Sequence, residues 1–426
     1  MFDNAARAIV RDSAPAIRLH GLAVVERMYE LLFRDPAIEL IFDPSHMRDG
    51  TQPRALAEAV IAYAEHIDDL ETLLPMVERV AHKHVALGIT AEHYGSVGAC
   101  IIEAMGDVLG EAATPALLGA WTAAFGVLAD IFINRESALA DAVAYHDGGW
   151  RGLRDFRVDR VEDESALIRS LYLVPVDGGT VIPHVPGQYL TLHLPLSSGR
   201  PLFRHYSLSA APGTTGYRIS VKREPLGAGS GYLHTLAVGT VIDCAAPAGH
   251  FTLASAPERP VLLLSGGVGQ TPILSMAHAL ADRARAPVRY LHAAIDGAAH
   301  AFGPEVADIV ARAPWVERHT CYERPRAEDR PGIDYDAVGR IDAATLAAAC
   351  SGDPDVYLCG PTPFMRAMLD GLAAIGVPAA NVHFEFFGPQ SSLDENPRPP
   401  VIPDRESFIA VNGSAAAEPS RPTVVA

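Results

Sequence analysis

A histidine at the end of an apolar stripe is the first residue of this chain that could do chemistry. In the segment LLPMVERVAHKHVALGI, apolar residues and one histidine recur at spacings of four, three, four and three, so they share one face of a helix. The residues on this face are Leu73, Val77, Val80, His84 and Leu87. His84 is therefore predicted to point inward, either as a hydrogen-bonded core histidine or as the ligand of a metal ion.

Two polar residues on other predicted helices could face the same interior. Tyr29 lies on the inward face of LAVVERMYELLF, and a buried tyrosine hydroxyl needs a hydrogen-bond partner. In TQPRALAEAVIAY, Gln52 and Leu56 are one helical turn apart, and Pro53 suits a first turn. Alternatively, Tyr29 could be a packed core tyrosine, and Gln52 could be a capping or surface residue.

Three segments in the middle of the chain could bind a phosphorylated cofactor. In the predicted strand FRHYSLSA, alternation places Arg204 and Tyr206 on one face and Ser207 on the other. Upstream, VPGQYLTL contains Tyr189, and downstream GAGSGYLHTL has small residues before a short helix, where backbone N–H groups can meet a diphosphate. The small residues are Gly227, Gly229, Ser230 and Gly231. Each segment alone also fits an ordinary barrel with turn glycines.

Two later segments are typical of a nicotinamide site of the ferredoxin-reductase type. VLLLSGGVGQTPILSM predicts a strand, a glycine turn and a helix, and VYLCGPTPFMRAM ends a second buried strand in a similar turn. The residues of the two turns are Gly266, Gly267 and Gly269, then Cys359, Gly360 and Pro361. We expect both turns at one edge of a parallel sheet, although either alone could be a simple tight turn. No Arg or Lys cluster follows VRYLHAAIDG, which favours NADH over NADPH.

Three domains are needed to position these groups. The 426 residues are 49% hydrophobic and 20% charged, as in globular proteins. Residues 1–147 show only helical periodicity, residues 150–257 alternate as in an antiparallel barrel or sandwich, and residues 258–389 alternate buried strands with helices. Residues 390–426 are rich in Pro and Ser, and we expect a mobile tail.

Composition excludes several classes of function. A formal net charge of -17 argues against phosphate-mediated binding of nucleic acid. The five cysteines form no CxxC pair and no zinc spacing, so neither a disulfide framework nor a structural metal is expected. The first residues lack the layout of a signal peptide, and no apolar run approaches the ~20 residues of a membrane span. We therefore expect a cytoplasmic protein.

Taken in order, these motifs resemble the flavohaemoglobins of bacteria and yeast over roughly nine-tenths of the chain. The resemblance implies a multidomain fold with an all-α globin domain, an antiparallel β-barrel FAD-binding domain and an α/β NAD-binding domain that is ferredoxin-reductase-like. It implies that His84 is the proximal ligand of haem b iron, with Tyr29 and Gln52 as the distal polar pair. Further implied residues are Phe42 on the porphyrin, Leu56 restricting the distal space, and Tyr94 and Glu136 beside His84. Pro53 disfavours helical angles at Gln52, so we expect Gln52 to be turned away from its usual direction.

The resemblance also implies roles in the reductase part. Arg204 would contact a flavin phosphate, Tyr206 the isoalloxazine ring and Ser207 the edge near its reactive nitrogen. Near the end of the match, HFEFFGP supplies Glu385 and Phe387, and Phe387 would lie against the flavin ring unless it is an ordinary core aromatic. The remaining implied cofactor-binding residues are Tyr189, Gly227, Ser230, Gly266, Gly267, Gly269, Gln270, Thr271, Cys359, Gly360 and Pro361.

The resemblance implies a nitric oxide dioxygenase that converts NO and O2 to nitrate. Electrons would pass from NADH, or from NADPH, to FAD and then to haem. Two alternatives remain open, a haem-based O2 or NO binding or sensing protein that reduces itself, and an NADH-dependent flavin reductase of other acceptors. A monomer is expected.

Overall fold

The computed structural model describes residues 3–42, 47, 50–196, 201–254, 257–283 and 286–387. The predicted tail at residues 390–426 lies outside the described residues. Helices give way to strands between Ala144 and Leu153. We name the three parts the helical domain (residues 3–144), the barrel domain (residues 153–254) and the α/β domain (residues 257–387).

The helical domain has six α-helices among its described residues. They are α1 (Asn4–Leu32), α2 (Pro36–Glu39), α3 (Thr51–Glu65), α4 (Leu74–Leu87), α5 (Ala91–Leu109) and α6 (Pro115–Ala144). Short 3-10 turns cover Leu70–Leu73 and Gly110–Ala112. Helix α1 packs on α3, α5 and α6, whereas α4 packs mainly on α6. Helix α4 is therefore set apart from the main helical core.

The barrel domain is a six-stranded antiparallel sheet in the order β4-β3-β6-β1-β2-β5. Its elements are β1 (Leu153–Asp163), β2 (Ile168–Pro175), β3 (Tyr189–Pro195), β4 (Pro201–Ser207), β5 (Tyr217–Lys222), α7 (Ala228–Leu233) and β6 (Val241–Ala245). A bridge between Leu208, directly after β4, and Ile219 of β5 joins the two edges of the sheet. The sheet is therefore closed into a barrel, which leaves no unpaired edge.

The α/β domain is a six-stranded parallel sheet in the order β10-β9-β8-β7-β11-β12. Its elements are β7 (Val261–Gly266), α8 (Gln270–Arg283), β8 (Val288–Ala294), α9 (Gly303–Arg312), β9 (Val316–Tyr322), β10 (Ala337–Val338), α10 (Ala343–Ala349), β11 (Asp355–Cys359), α11 (Thr362–Ala374) and β12 (Val382–Glu385). The strand order reverses between β7 and β11, and ligands of such sheets bind at this crevice.

The helical and barrel domains touch through α4. Ala86 of α4 forms a buried apolar contact with Tyr189 and Ala248 of the barrel domain. Beside it, the Gly249 N–H donates to Nδ1 of His82 over 3.3 Å. One face of α4 thus lies on the barrel, while His84 faces the helical domain. His82, which lies off the apolar stripe, makes the interdomain hydrogen bond.

The expected fold class is confirmed, but one expectation about hydrophobicity is too simple. Helix α6 is long and apolar enough, by length and composition alone, to cross a membrane. It packs against α1, α4 and α5 and contains the buried carboxylate of Glu136, as a core helix does. The absence of a membrane span therefore stays a prediction.

Candidate functional site

His84 is held by a buried carboxylate and a tyrosine from two other helices. Its Nδ1 lies 2.8 Å from Oε1 of Glu136 on α6 and 2.9 Å from the hydroxyl of Tyr94 on α5. The Tyr94 hydroxyl donates to the same Glu136 oxygen over 2.5 Å. Burial, followed by the hydrogen bond to Glu136, raises the pKa of Tyr94, so this hydroxyl keeps its proton. We assign the proton of His84 to Nδ1, which leaves the Nε2 lone pair for a metal.

The end of α4 positions His84. Gly88 has φ 72 and follows the last helical residue, in the left-handed conformation typical of a helix C-cap. The Ile89 N–H then donates to the His84 carbonyl over 3.0 Å. The backbone of His84 is therefore fixed within the last turn, while 31% of its side chain stays accessible.

The apolar side chains of the helical domain form two clusters that meet at Leu128. One cluster joins Val77, Ala81 and Phe132 beside His84, and a larger one contains Tyr29 and the other helices. Phe132 lies 5.8 Å from the His84 ring, between centroids. An accessible imidazole beside apolar side chains, with Nε2 making no hydrogen bond among the described residues, fits the proximal side of a haem.

The predicted distal residues are brought together. The Gln52 amide nitrogen lies 3.4 Å from the Tyr29 hydroxyl, which is buried. Phe42 packs edge-on against Tyr29 with centroids 5.4 Å apart, and Leu56 packs against the same cluster. Burial raises the pKa of Tyr29 to about 12, so its hydroxyl remains a donor near neutral pH.

The expected effect of proline on Gln52 is not found. Helix α3 begins at Thr51, so Gln52 and Pro53 both lie in its first turn. Proline is tolerated there because first-turn N–H groups have no partner within the helix. Gln52 is therefore helical despite the proline that follows it, and its amide nitrogen lies 3.4 Å from the Tyr29 hydroxyl.

The barrel domain brings the two predicted phosphate segments together. A Cβ added at Gly229 of α7 would lie 3.2 Å from Cγ of Arg204 and 3.4 Å from the Tyr206 hydroxyl. Gly227 precedes α7, and a Cβ there would clash with the Ser230 hydroxyl at 2.5 Å. Arg204 therefore lies beside the glycines at the start of α7, an arrangement that suits a diphosphate.

Tyr189 carries a buried polar atom that the described residues leave unsatisfied. Its hydroxyl is buried and has no hydrogen-bond partner among the described residues. Gly249 has φ 122, and a Cβ there would lie 3.0 Å from the Tyr189 ring. Ser207 pairs directly with Tyr189 across β3 and β4, so the two lie side by side. An orphaned hydroxyl beside Ser207 fits the polar edge of a flavin.

The two predicted nicotinamide turns meet at one sheet edge, as expected. A Cβ at Gly269 would lie 2.3 Å from the carbonyl oxygen of Cys359 and 2.5 Å from the nitrogen of Gly360. Gly267 has φ 52, and a Cβ there would meet open space. The turns are close-packed against each other and open outward, so the backbone can approach a dinucleotide.

Three of the implied residues, Gln270, Thr271 and Cys359, are buried and support the turns without offering side chains to a dinucleotide. Gln270 is fully buried and donates to the Tyr290 hydroxyl over 2.8 Å, and Thr271 donates to the Val268 carbonyl over 3.0 Å. Cys359 is also fully buried, and Pro361 is the N-cap of α11. By contrast, Phe387 is 46% exposed and free to cover a neighbouring group.

Sequence patterns did not reveal the cavity where the three domains meet. It has a volume of about 230 Å³. Its lining residues include Arg79 and Lys83 of α4, His250 of the barrel domain and Glu385 at the end of β12. Burial raises the pKa of Glu385, while Lys83 and Arg79 lower it. Only the position of the two cations off the apolar stripe of α4 hinted that they face another domain.

Comparisons with known proteins agree with this arrangement. Three family models match, Globin at residues 25–132, Oxidoreductase FAD-binding domain at 157–253 and Oxidoreductase NAD-binding domain at 263–370. The Flavohemoprotein of Bordetella parapertussis is 46% identical over 397 residues, which are 91% of this chain and 99% of that protein. The Flavohemoprotein of Pseudomonas aeruginosa is 43% identical over 92% of this chain and 100% of its own length.

Solved structures extend the likeness to the arrangement of domains. The flavohemoglobin of Malassezia yamatoensis with bound FAD and heme has a TM-score of 0.80 at 26% identity, over 91% of this chain and 100% of that chain. The flavohem-like FAD/NAD binding domain of nitric oxide dioxygenase from Vibrio cholerae has a TM-score of 0.51 at 37% identity, over 57% of this chain and 100% of that chain.

Proposed function

This chain belongs to the flavohaemoprotein family, and from that membership and the geometry of the site we propose that it converts nitric oxide and dioxygen to nitrate with a reduced nicotinamide dinucleotide. The observation that carries the proposal is that α4 contacts two domains with two different faces. His84 faces Phe132 and Glu136 of the helical domain, while Ala86 of the same helix packs on Tyr189 of the flavin barrel. Iron and flavin would therefore be held on opposite faces of one helix.

When bound, haem supplies an iron that takes up gas, FAD divides an electron pair into single electrons, and NAD(P)H supplies that pair. Glu136 and Tyr94 hold the His84 ring in one tautomer and increase its basicity. That arrangement favours activation of oxygen over storage. On the other side of the helical domain, the Tyr29 hydroxyl and the Gln52 amide supply hydrogen-bond donors in an apolar pocket.

We propose that NADH is used in preference to NADPH. Asp296, after β8, is an acidic group at the edge where the adenosine end of a dinucleotide would lie, and it would repel a 2′-phosphate, whereas Glu323, after β9, is paired with Arg340. Arg326 and Arg330 nearby are paired with Glu328 and Asp334. Comparison of kcat/KM for the two dinucleotides tests this preference, and equal values would contradict it.

We also propose that the protein acts in the cytoplasm as a monomer. The five cysteines are all free thiols, and three of them are buried, as is usual in a reducing compartment. Cell fractionation and light scattering coupled to size-exclusion chromatography test these two points. A membrane-bound pool would contradict the first, and a stable dimer the second.

The proposed activity is tested by measuring nitric oxide consumption and nitrate release with NADH, with and without oxygen. We expect rapid, oxygen-dependent formation of nitrate that is lost in His84→Ala. The control is His20→Ala, an exposed histidine on α1. Tight gas binding without nitrate would instead support a binding or sensing protein. Retained oxidation of NADH by other acceptors, with no nitrate even in the unaltered protein, would support a flavin reductase.

A further inference from the structure

A buried ion pair joins the barrel domain to the α/β domain. Arg218 on β5 is 6% exposed, and its guanidinium donates to both carboxylate oxygens of Glu305 on α9, each over 2.9 Å. The contact is bidentate, which fixes orientation as well as distance. An ion pair of this kind is a more specific connection than an exposed salt bridge, which leaves both side chains mobile.

On the barrel side, Arg218 is bound to the chain that follows the predicted flavin edge. Its guanidinium donates to the Ser209 hydroxyl over 3.0 Å and to the Ser209 carbonyl over 2.5 Å. Ser209 is two residues beyond Ser207, which the resemblance places at the edge of the flavin. A shift of the Arg218 side chain would therefore be felt next to the flavin.

On the α/β side, Glu305 is bound to two helices at once. It lies in the first turn of α9, and it accepts a hydrogen bond of 2.5 Å from His278 of α8. Helix α8 begins directly after the glycine turn of β7. Although burial raises the pKa of Glu305, the hydrogen bonds from His278 and Arg218 lower it to about 2, so the carboxylate stays charged.

Among the described residues, the other hydrogen bonds between these domains join neutral groups. His184 lies 2.9 Å from the Ser275 hydroxyl of α8, and the Ala254 N–H donates to the Tyr357 hydroxyl over 3.1 Å. Single neutral hydrogen bonds tolerate rotation about their axis. The two-point contact of Arg218 and Glu305 does not.

We propose that Arg218 and Glu305 are positioning residues for hydride transfer, because their ion pair sets how the dinucleotide-binding domain approaches the flavin. In this step NADH gives one hydride, with its electron pair, to FAD and leaves as NAD+, so no further oxidant is needed. Reacting atoms must come within roughly 3–3.5 Å, and a displacement of about 1 Å can slow such a step by about 100-fold. The proposal rests on the proposed electron route.

The test is anaerobic stopped-flow reduction of the flavin by NADH in the full-length protein loaded with haem and FAD. In Glu305→Gln we expect the first-order rate at saturating NADH to fall by about tenfold to 100-fold, with the dissociation constant of NADH changed less than about twofold. The control is Asp177→Asn. Asp177 forms a similar bidentate pair with Arg154, but within the barrel domain, and its loss should leave the rate unchanged.

A second measurement distinguishes misplacement of the dinucleotide-binding domain from a general structural defect of the variant. After photoreduction of the flavin, electron transfer to the haem does not need the α/β domain and should keep its rate in Glu305→Gln. Neither measurement uses nitric oxide, so the proposal can fail or succeed apart from the dioxygenase activity. Wild-type hydride transfer in Glu305→Gln, or equal slowing of both steps, would overturn it. If that variant does not fold, Glu305→Asp retracts the charge by one methylene, and an unchanged rate in this variant would also overturn it.

Discussion

The carboxylate beside the proximal histidine offers the sharpest test of the site. Glu136→Gln keeps the size of the side chain but removes the negative charge that lies 2.8 Å from Nδ1 of His84 and accepts a hydrogen bond from the Tyr94 hydroxyl over 2.5 Å. Glu136 is 6% exposed, so solvent screens this charge little. The negative charge favours the more oxidised, more positive iron. Its removal should therefore raise the midpoint potential of the haem.

The magnitude follows from the hydrogen bonds. Hydrogen bonds to a charged group contribute about 1.5 to 3 kcal/mol. For a one-electron couple about 59 mV corresponds to a tenfold change in the equilibrium constant, or about 1.4 kcal/mol. If one such bond is lost from the oxidised state alone, the midpoint potential should rise by about 60 to 130 mV.

Spectroelectrochemical titration of the haem absorption band measures this shift. The matched control is Glu78→Gln, which neutralises a carboxylate on the same pair of helices. Glu78 forms two hydrogen bonds of 2.6 Å with Arg135, adjacent to Glu136, and neither touches His84. A rise below about 20 mV in Glu136→Gln, or an equal rise in the control, would refute the reasoning.

Three further predictions concern other parts of the site. Tyr29→Phe removes a buried donor and should speed dioxygen release by about tenfold to 100-fold, which stopped flow measures; an unchanged rate would contradict its role. Burial lowers the pKa of His184 to about 4, so protonation favours the unfolded state, and stability should fall as the pH drops from 6.5 to 4. His184→Asn should weaken that dependence by up to about 3 kcal/mol in urea titrations, and identical pH profiles would refute the assignment. Gly269→Ala places a Cβ 2.3 Å from the Cys359 carbonyl and should abolish flavin reduction by NADH, while dithionite still reduces the flavin.

Local patterns were sufficient wherever the chemistry depends on neighbours in the chain. The spacing of the apolar stripe predicted that His84 faces inward, and the glycine turns after two buried strands predicted a shared edge. Strand alternation predicted the directions of Arg204 and Tyr206. In these cases the period of the helix or strand decides the direction of a side chain. The expected effect of Pro53 was wrong because Gln52 is helical in the first turn of α3, although a following proline usually disfavours helical angles.

Only the tertiary structure decided which groups meet across helices and across domains. Tyr94 on α5 and Glu136 on α6 lie 10 and 52 residues from His84 in the chain, and they bond to it because their helices pack beside α4. The burial of Arg218 against Glu305, 87 residues apart, has no signature in local periodicity. Composition and hydrophobic periodicity determine which secondary structure each segment forms. The partner of a buried charge depends on how the helices and strands pack against one another, and the periodicity of a single segment does not specify that packing.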